Sequence, residues 1–320
     1  MGFFVLLPLV LPLTSWPVAR LAERRMHPRV STRLLVGAGV VLAVCSTLCL
    51  GLLVVVGTAQ LPGNPLPDAW SDPEVRAAVP YDEVLGRASI PALVALLSAC
   101  GTTLVRHFRA RSRVRRALHG LPSSPVAVLP DTAPYAFALP GGRRARGRRR
   151  ARIVVSTALL DALEPAERRA LFAHERAHLA ARHHRSLLLA QLAADANPFL
   201  RPMRTAVAFG VERWADEEAA RKVGDRRLTA RAVGKAALIA RESPARTLPA
   251  VAGSGQVPRR VQALLAPAPS SRLLLPPTTA PGLAAGLAAW LAAVGAATSA
   301  LSAANAAVAL VLILHAATPL

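Results

Sequence analysis

Acidic residues, cysteines, lysines and aromatics are all scarce in this 320-residue chain. Asp and Glu number 18 against 39 Lys and Arg, giving a formal net charge of +21. Only Lys222 and Lys235 are lysines, so arginine carries nearly all of the positive charge. The three cysteines, Cys45, Cys49 and Cys100, lie in apolar runs with neither the spacing nor the setting of a disulfide framework or a zinc knuckle. Any metal must therefore be held by histidine and carboxylate. Aromatics make up 4% of the chain, and no helix-turn-helix, zinc-finger or aromatic-platform pattern occurs. No specific nucleic-acid partner is expected, despite the charge.

What is abundant is apolar sequence, 53% of the chain, segregated from the arginines. Residues 34–57 and 88–105 carry no charge and are long enough to cross a bilayer, which takes about 20 residues per helix. Residues 3–19 form a further candidate span, interrupted by Pro8, Pro12 and Pro17. No basic residue precedes that run, so it fits poorly as a signal peptide. From Pro281 to Leu320 no Asp, Glu, Lys or Arg occurs; this tail holds one span, or two if it breaks at Ser299 to Asn305. Arg20, Arg24, Arg25, Arg29 and Arg33 follow the first candidate, and Arg106 to Arg116 follow the third. The loop between the second and third carries Asp68, Asp72, Glu74, Asp82 and Glu83. Positive loops stay inside, so the segment after Val105 is expected to be cytoplasmic, with the N-terminus outside. The basic stretches, including Arg143 to Arg152, read as a surface facing anionic lipid. The domain expectation is a membrane region 1–117, a cytoplasmic domain 118–266, a linker 267–281 and a membrane region 282–320.

The middle segment reads differently. Val126 to Leu129, Tyr135 to Leu139 and Ile153 to Ser156 are strand-like, with proline bounding the first two. Gly141 to Arg150 reads as a polar turn. Helices are expected from Glu164 to about His184, continuing over Ser186 to Asp195, then at Met203 to Val223, Leu228 to Arg241 and Val257 to Leu265. Pro165 suits a first helical turn, and Gly224 suits a helix stop.

Inside the first of these helices lies His174-Glu175-Arg176-Ala177-His178. Residues four apart share a helical face, so both imidazoles can reach one ion. Glu175 is rotated away from that line, toward a water at the metal. Zinc usually takes three protein ligands in a catalytic site, with the fourth position open. Glu212, 34 residues after His178, is the candidate third ligand, although a helical Glu taken alone reads as a solvated surface residue. Asp216, one turn on, is placed to orient a ligand imidazole. His183 and His184, close behind the motif, read either as groups for a metal or an oxyanion or, the favoured reading, as ordinary polar positions at a helix end, where positive charge is favourable. Tyr135 to Leu139 serves either as core or as an edge strand that binds an extended substrate.

Three segments carry a family resemblance: Ile153-Val154-Val155-Ser156-Thr157, Leu163 to Ala170, and the H-E-x-x-H run. Together they resemble the BlaR/MecR-type membrane metallopeptidases, which are similar to the HtpX and CAAX-prenyl-protease families. In those families a later E-x-x-A-D motif supplies the third ligand, and Glu212-Arg213-Trp214-Ala215-Asp216 matches it. The resemblance implies Glu212 as ligand and Asp216 as supporting carboxylate. BlaR and MecR carry a C-terminal penicillin-binding sensor that this sequence lacks, so beta-lactam sensing is not expected.

The combined expectation is a mainly α multi-pass membrane protein with an α+β zincin-like metallopeptidase domain. That domain, built round a small sheet, is inserted between the transmembrane helices. Its site would hold Zn2+ on His174, His178 and Glu212, with Glu175 catalytic and Asp216 supporting. The substrate would be a protein or peptide cut at the cytoplasmic face, either a repressor or a damaged membrane protein. The alternative is a non-catalytic membrane scaffold or signalling protein that keeps the fold.

Overall fold

The computed structural model describes residues 2–61, 63, 67, 70, 82–118, 120, 124–144, 147–149, 151–242, 256–269 and 279–317. Asp68, Asp72, Glu74, Arg76, His119, Arg150 and the expected loop from Ser243 to Gly255 lie outside the described residues, as does most of the linker before the tail.

Among the described residues, three helices are long and apolar enough to cross a membrane: α2 (Pro28–Ala59), α3 (Asp82–Ala117) and α10 (Ala280–Ala317). The tail is one uninterrupted helix. Ser299 and Ser302 do not break it; both are buried, and the Ser302 hydroxyl donates to the Phe4 carbonyl at 2.7 Å. The first candidate span is instead four short helical pieces, Gly2–Val5, Leu7–Val10, Leu11–Thr14 and α1 (Ser15–Arg25). Pro8, Pro12 and Pro17 each fall in the opening turn of a different piece, where the missing N–H costs little. This run lies antiparallel to α2. Val5 meets Cys49, Leu53 and Val56 at one end, while Val18 and Ala22 meet Leu35 and Ala38 at the other. Where α2 meets α3, Gly57 and Gly86 touch backbone to backbone, and a Cβ on Gly57 would lie 2.1 Å from the Gly86 carbonyl oxygen.

The described sheet has three strands in the order β1-β5-β2: β1 (Val126–Leu129) runs parallel to β5 (Arg152–Ser156), and β2 (Ala136–Leu139) runs antiparallel to it. The register places Val126 opposite Ile153 and Phe137 opposite Val154. β5 is central and buried, which suits its β-branched run, and β2 is an edge. The expected polar turn at Gly141 to Arg150 contains a second small sheet, β3 (Gly142–Arg144) paired antiparallel with β4 (Gly147–Arg149). Alternation there is hidden because arginine fills both faces of the pattern.

β5 leads through α4 (Thr157–Ala162) to α5 (Pro165–Ala180), which begins with a capping box between Glu164 and Glu167. The single helix expected to reach His184 is in fact two. Arg182 takes a left-handed conformation, φ 54°, and α6 (His183–Ala196) starts immediately after it. No glycine or proline marks this break, so periodicity runs straight through it. Asn197 and Pro198 then turn the chain into α7 (Arg201–Val223), which ends at Gly224 with φ 78°. α8 (Arg226–Glu242) and α9 (Val257–Leu265) complete this part.

One apolar core joins the two kinds of sequence. Ala190 and Ala193 of α6, with Met203, Val207 and Val211 of α7, pack into the cluster formed by α1, α2 and Ala285, Ala288 and Ala292 of α10. α2 and α7 approach closely at Gly210, where an added Cβ would lie 2.7 Å from Thr32 Oγ1. This contact seats α7 two residues before Glu212.

Candidate metal centre

α5 and α7 pack side by side and carry the three candidate ligands on facing surfaces. His174 Nε2 and His178 Nε2 are 3.0 Å apart, as the i, i+4 spacing allows. The Glu212 carboxylate faces both, Oε2 3.6 Å from His174 Nε2 and Oε1 3.6 Å from His178 Nε2. Donors held on one zinc at about 2.1 Å and tetrahedral angles stand about 3.4 Å apart, so the three side chains fit a single ion. The cluster is mostly enclosed, which spares it competition from bulk water.

Behind the ligands lies a charged layer. Asp216 Oδ1 is 3.0 Å from His174 Nδ1, close but off the line of a good hydrogen bond. Asp216 is almost fully buried and is held by Arg260 of α9, whose Nε and Nη2 each donate to it at 2.7 Å. The third guanidinium nitrogen of Arg260 lies 2.9 Å from Glu212. No residue-spacing rule links Arg260 to Asp216, 44 positions earlier. α9 is fixed by two more arginines: Arg226 caps its end by donating to the Ala263 and Leu264 carbonyls, and Arg259 pairs with Glu23 of α1.

These charges set the protonation of the site. Burial works against a positive His174, but Asp216 and Glu212 outweigh it and push the imidazole up to about 10. The two carboxylates thus favour a cation at this nitrogen, whether proton or metal. Burial, reinforced by His174, lowers His178 to about 4, leaving a neutral imidazole with a free lone pair. Burial opposes ionisation of Glu212, yet His174, His178 and Arg260 hold it well below the ordinary carboxylate range. Glu175 is different: burial raises its carboxyl to about 7, partly offset by His174, with a hydrogen bond from the Ala138 amide of β2.

A cavity of about 400 Å³ opens over the cluster. His174, Glu175, His178, Glu212 and Arg260 form its polar end; Tyr135 to Ala138 of β2 form one wall, and Ala232, Ala236 and Ala240 of α8 form another. Glu167, also buried, ties α8 to the start of α5 by accepting from Lys235 and Arg231, each at 3.1 Å.

His183 is not a solvated residue at a helix end. It is fully buried at the start of α6, 3.0 Å through Nδ1 from His178 Nδ1. A positive charge is unfavourable at a helix N-terminus, and burial together with His178 lowers its imidazole to about 3. The left-handed Arg182 turns it inward. His184 is half-buried, lines the cavity and is lowered to about 4 by burial and Arg111.

Residues 109–199 match the family model described as Peptidase family M48. The matched stretch contains the sheet, α5 and α6, and stops before Glu212, Asp216 and Arg260. It supports a metal-dependent peptidase of the type related to HtpX and the CAAX proteases. No curated protein and no solved structure matches the chain.

Proposed function

We propose that this chain is a multi-pass membrane zinc endopeptidase, with His174, His178 and Glu212 as ligands, Glu175 as the proton-transfer residue and Asp216 as the carboxylate that orients His174. The observation that carries the reading is the convergence of three ligand atoms within 4.8 Å of one another, beside a buried glutamate and an edge strand. When bound, the ion supplies Lewis acidity that polarises the scissile carbonyl and acidifies water.

The remaining chemistry belongs to the side chains. Glu175, raised toward neutrality, accepts a proton from the attacking water on its carboxylate and returns it to the leaving amine nitrogen. Asp216, gripped by Arg260, sets the ring of His174. The open edge of β2 aligns an extended substrate segment by strand addition. The alanine face of α8 leaves room for an apolar substrate side chain.

The M48 match reaches the peptidase class; the finer reading rests on the chain's own pattern. α2 begins among Arg29 and Arg33, whose guanidinium groups lie 5.7 and 5.5 Å from the Trp214 ring beside the site. Positive-inside orientation of those arginines puts the site at the cytoplasmic face of the cell membrane. The substrate would be a protein segment near that face, either a cytosolic repressor, following the BlaR/MecR resemblance, or a damaged membrane protein, following HtpX.

The test is metal content of detergent-purified protein, comparing the native chain with H178A and E212A. The expected result is about one zinc per native chain and loss in both variants. A native chain that takes up no zinc after reconstitution overturns the peptidase in favour of a scaffold.

A further inference from the structure

The two ligand imidazoles are braced unequally. Behind His174 stands a carboxylate, Asp216, with its own arginine. Behind His178 stands another imidazole, with the two Nδ1 atoms 3.0 Å apart. Two ring nitrogens at that distance share one proton, since two N–H groups or two lone pairs would repel. If His178 gives its Nε2 lone pair to the cluster with His174 and Glu212, its own proton sits on Nδ1. His183 Nδ1 must then accept it, which leaves the His183 proton on Nε2.

The surroundings agree with that arrangement. His183 Nε2 is buried with no hydrogen-bond partner among the described residues. The ring packs edge-to-face against Trp214, centroids 4.7 Å apart, an aromatic surface that tolerates an N–H. A site that buries an unpaired donor to keep an acceptor in place is costly, so the acceptor needs a use. Orienting His178 provides one.

Resting on the metallopeptidase reading above, we infer that His183 is a positioning residue. Its Nδ1 accepts the His178 Nδ1–H, fixes the ring angle of that ligand and holds its Nε2 toward the metal. The left-handed break at Arg182 is what delivers His183 to this place, five residues after the ligand it supports. The brace is neutral, so it orients His178 without adding negative charge to a cluster that already holds Glu212 and Asp216.

The experiment compares native protein, H183L and H183N in detergent. It measures zinc affinity by chelator competition, the visible spectrum of the cobalt-loaded protein, and thermal unfolding with the metal stripped. Asparagine can place its side-chain oxygen near the position of Nδ1, whereas leucine offers no acceptor. Loss of an outer-shell partner weakens metal binding about 10- to 100-fold, so H183L should fall in that range with an altered cobalt spectrum. H183N should stay within about threefold of native. Both variants lose the ring against Trp214, so their metal-free stabilities should fall alike.

Native-like zinc affinity in H183L overturns the inference while leaving the peptidase intact. Equal weakening in H183L and H183N, at equal metal-free stability, also overturns it and reduces His183 to packing. A native chain that binds no zinc overturns both readings together. Should H183L not fold, H183Q, whose amide sits one bond further out, takes its place as the variant without rescue.

Discussion

The cavity over the candidate metal site has two unlike walls. The inner wall, from α5, α7 and α9, is a set of buried charges in which Glu212 and Asp216 share Arg260 and each ligand ring has a supporting group. The outer wall, from β2 and α8, is an edge strand facing a run of alanines. Buried charges tolerate little displacement, because an unpaired ion in low dielectric costs several kcal/mol. Alanines hold nothing in place and leave volume. Chemistry should therefore fail when the inner wall changes, whereas selectivity should shift when the outer wall changes.

The largest effect belongs to Glu175. E175Q should retain zinc and lower kcat by about 10²- to 10⁴-fold, the span of general acid–base contributions; undiminished cleavage would remove Glu175 from the mechanism. Next is Arg260. R260A strands Asp216 and Glu212 together, and breaking such a buried network costs about 3–5 kcal/mol. Thermal unfolding of the metal-free variant checks this, and an unchanged Tm would show that the inner wall does not need its cation.

Glu167 gives a smaller effect. E167Q keeps an oxygen for the Glu164 amide but loses the screened ion pairs to the partly exposed Lys235 and Arg231, about 1 kcal/mol. Burial opposes ionisation of Glu167, but the Glu164 amide, Lys235 and Arg231 lower it below its ordinary 4.5. A lowered carboxylate stabilises fully above pH 4.5 and loses that contribution as pH falls through the folded value. The native and E167Q stabilities should therefore converge in acid.

On the pH axis of activity, Glu175 must be ionised to accept a proton. Burial raises it to about 7, and a metal ion nearby draws it down, so kcat/KM should decline on the acid side at or below about pH 7. A profile flat to pH 5 would contradict this. The last prediction tests the outer wall. A236F should spare metal content and lower kcat/KM for substrates with a large apolar side chain by about 10- to 100-fold, with little change for small ones. Uniform loss across substrates would mean that α8 is not a selectivity surface.

Much of this geometry could be read from the chain before folding. Local signals were reliable where one segment suffices: the H-E-x-x-H spacing, the strands at Val126 to Leu129 and Ile153 to Ser156, the stop at Gly224 and the limits of α9 at Val257 and Leu265. Glu212 needed a family pattern, because nothing in a single helix says which glutamate meets a metal. Arg260 and His183 were missed for different reasons. Arg260 reaches Asp216 only because α8 turns the chain back, a long-range consequence with no periodic trace. His183 depends on one left-handed residue, Arg182, of a type that rarely announces such a turn. The β3–β4 pair was hidden by its run of arginines, and the unbroken tail by Ser299 and Ser302, which the helix carries on its buried side.

α10 is longer than a single crossing requires. Its 38 residues span about 57 Å at about 1.5 Å per residue, nearly twice a hydrocarbon core of about 30 Å. Tilting within the usual range, up to about 40°, does not absorb that excess, so part of the helix stands clear of the lipid. Its first turns, through Ala285, Ala288 and Ala292, share a core with α6 and α7. On the membrane peptidase reading proposed above, the helix would act as a mast that fixes the height of the cutting edge above the bilayer, so that distance from the membrane would select the bond before any side chain is read.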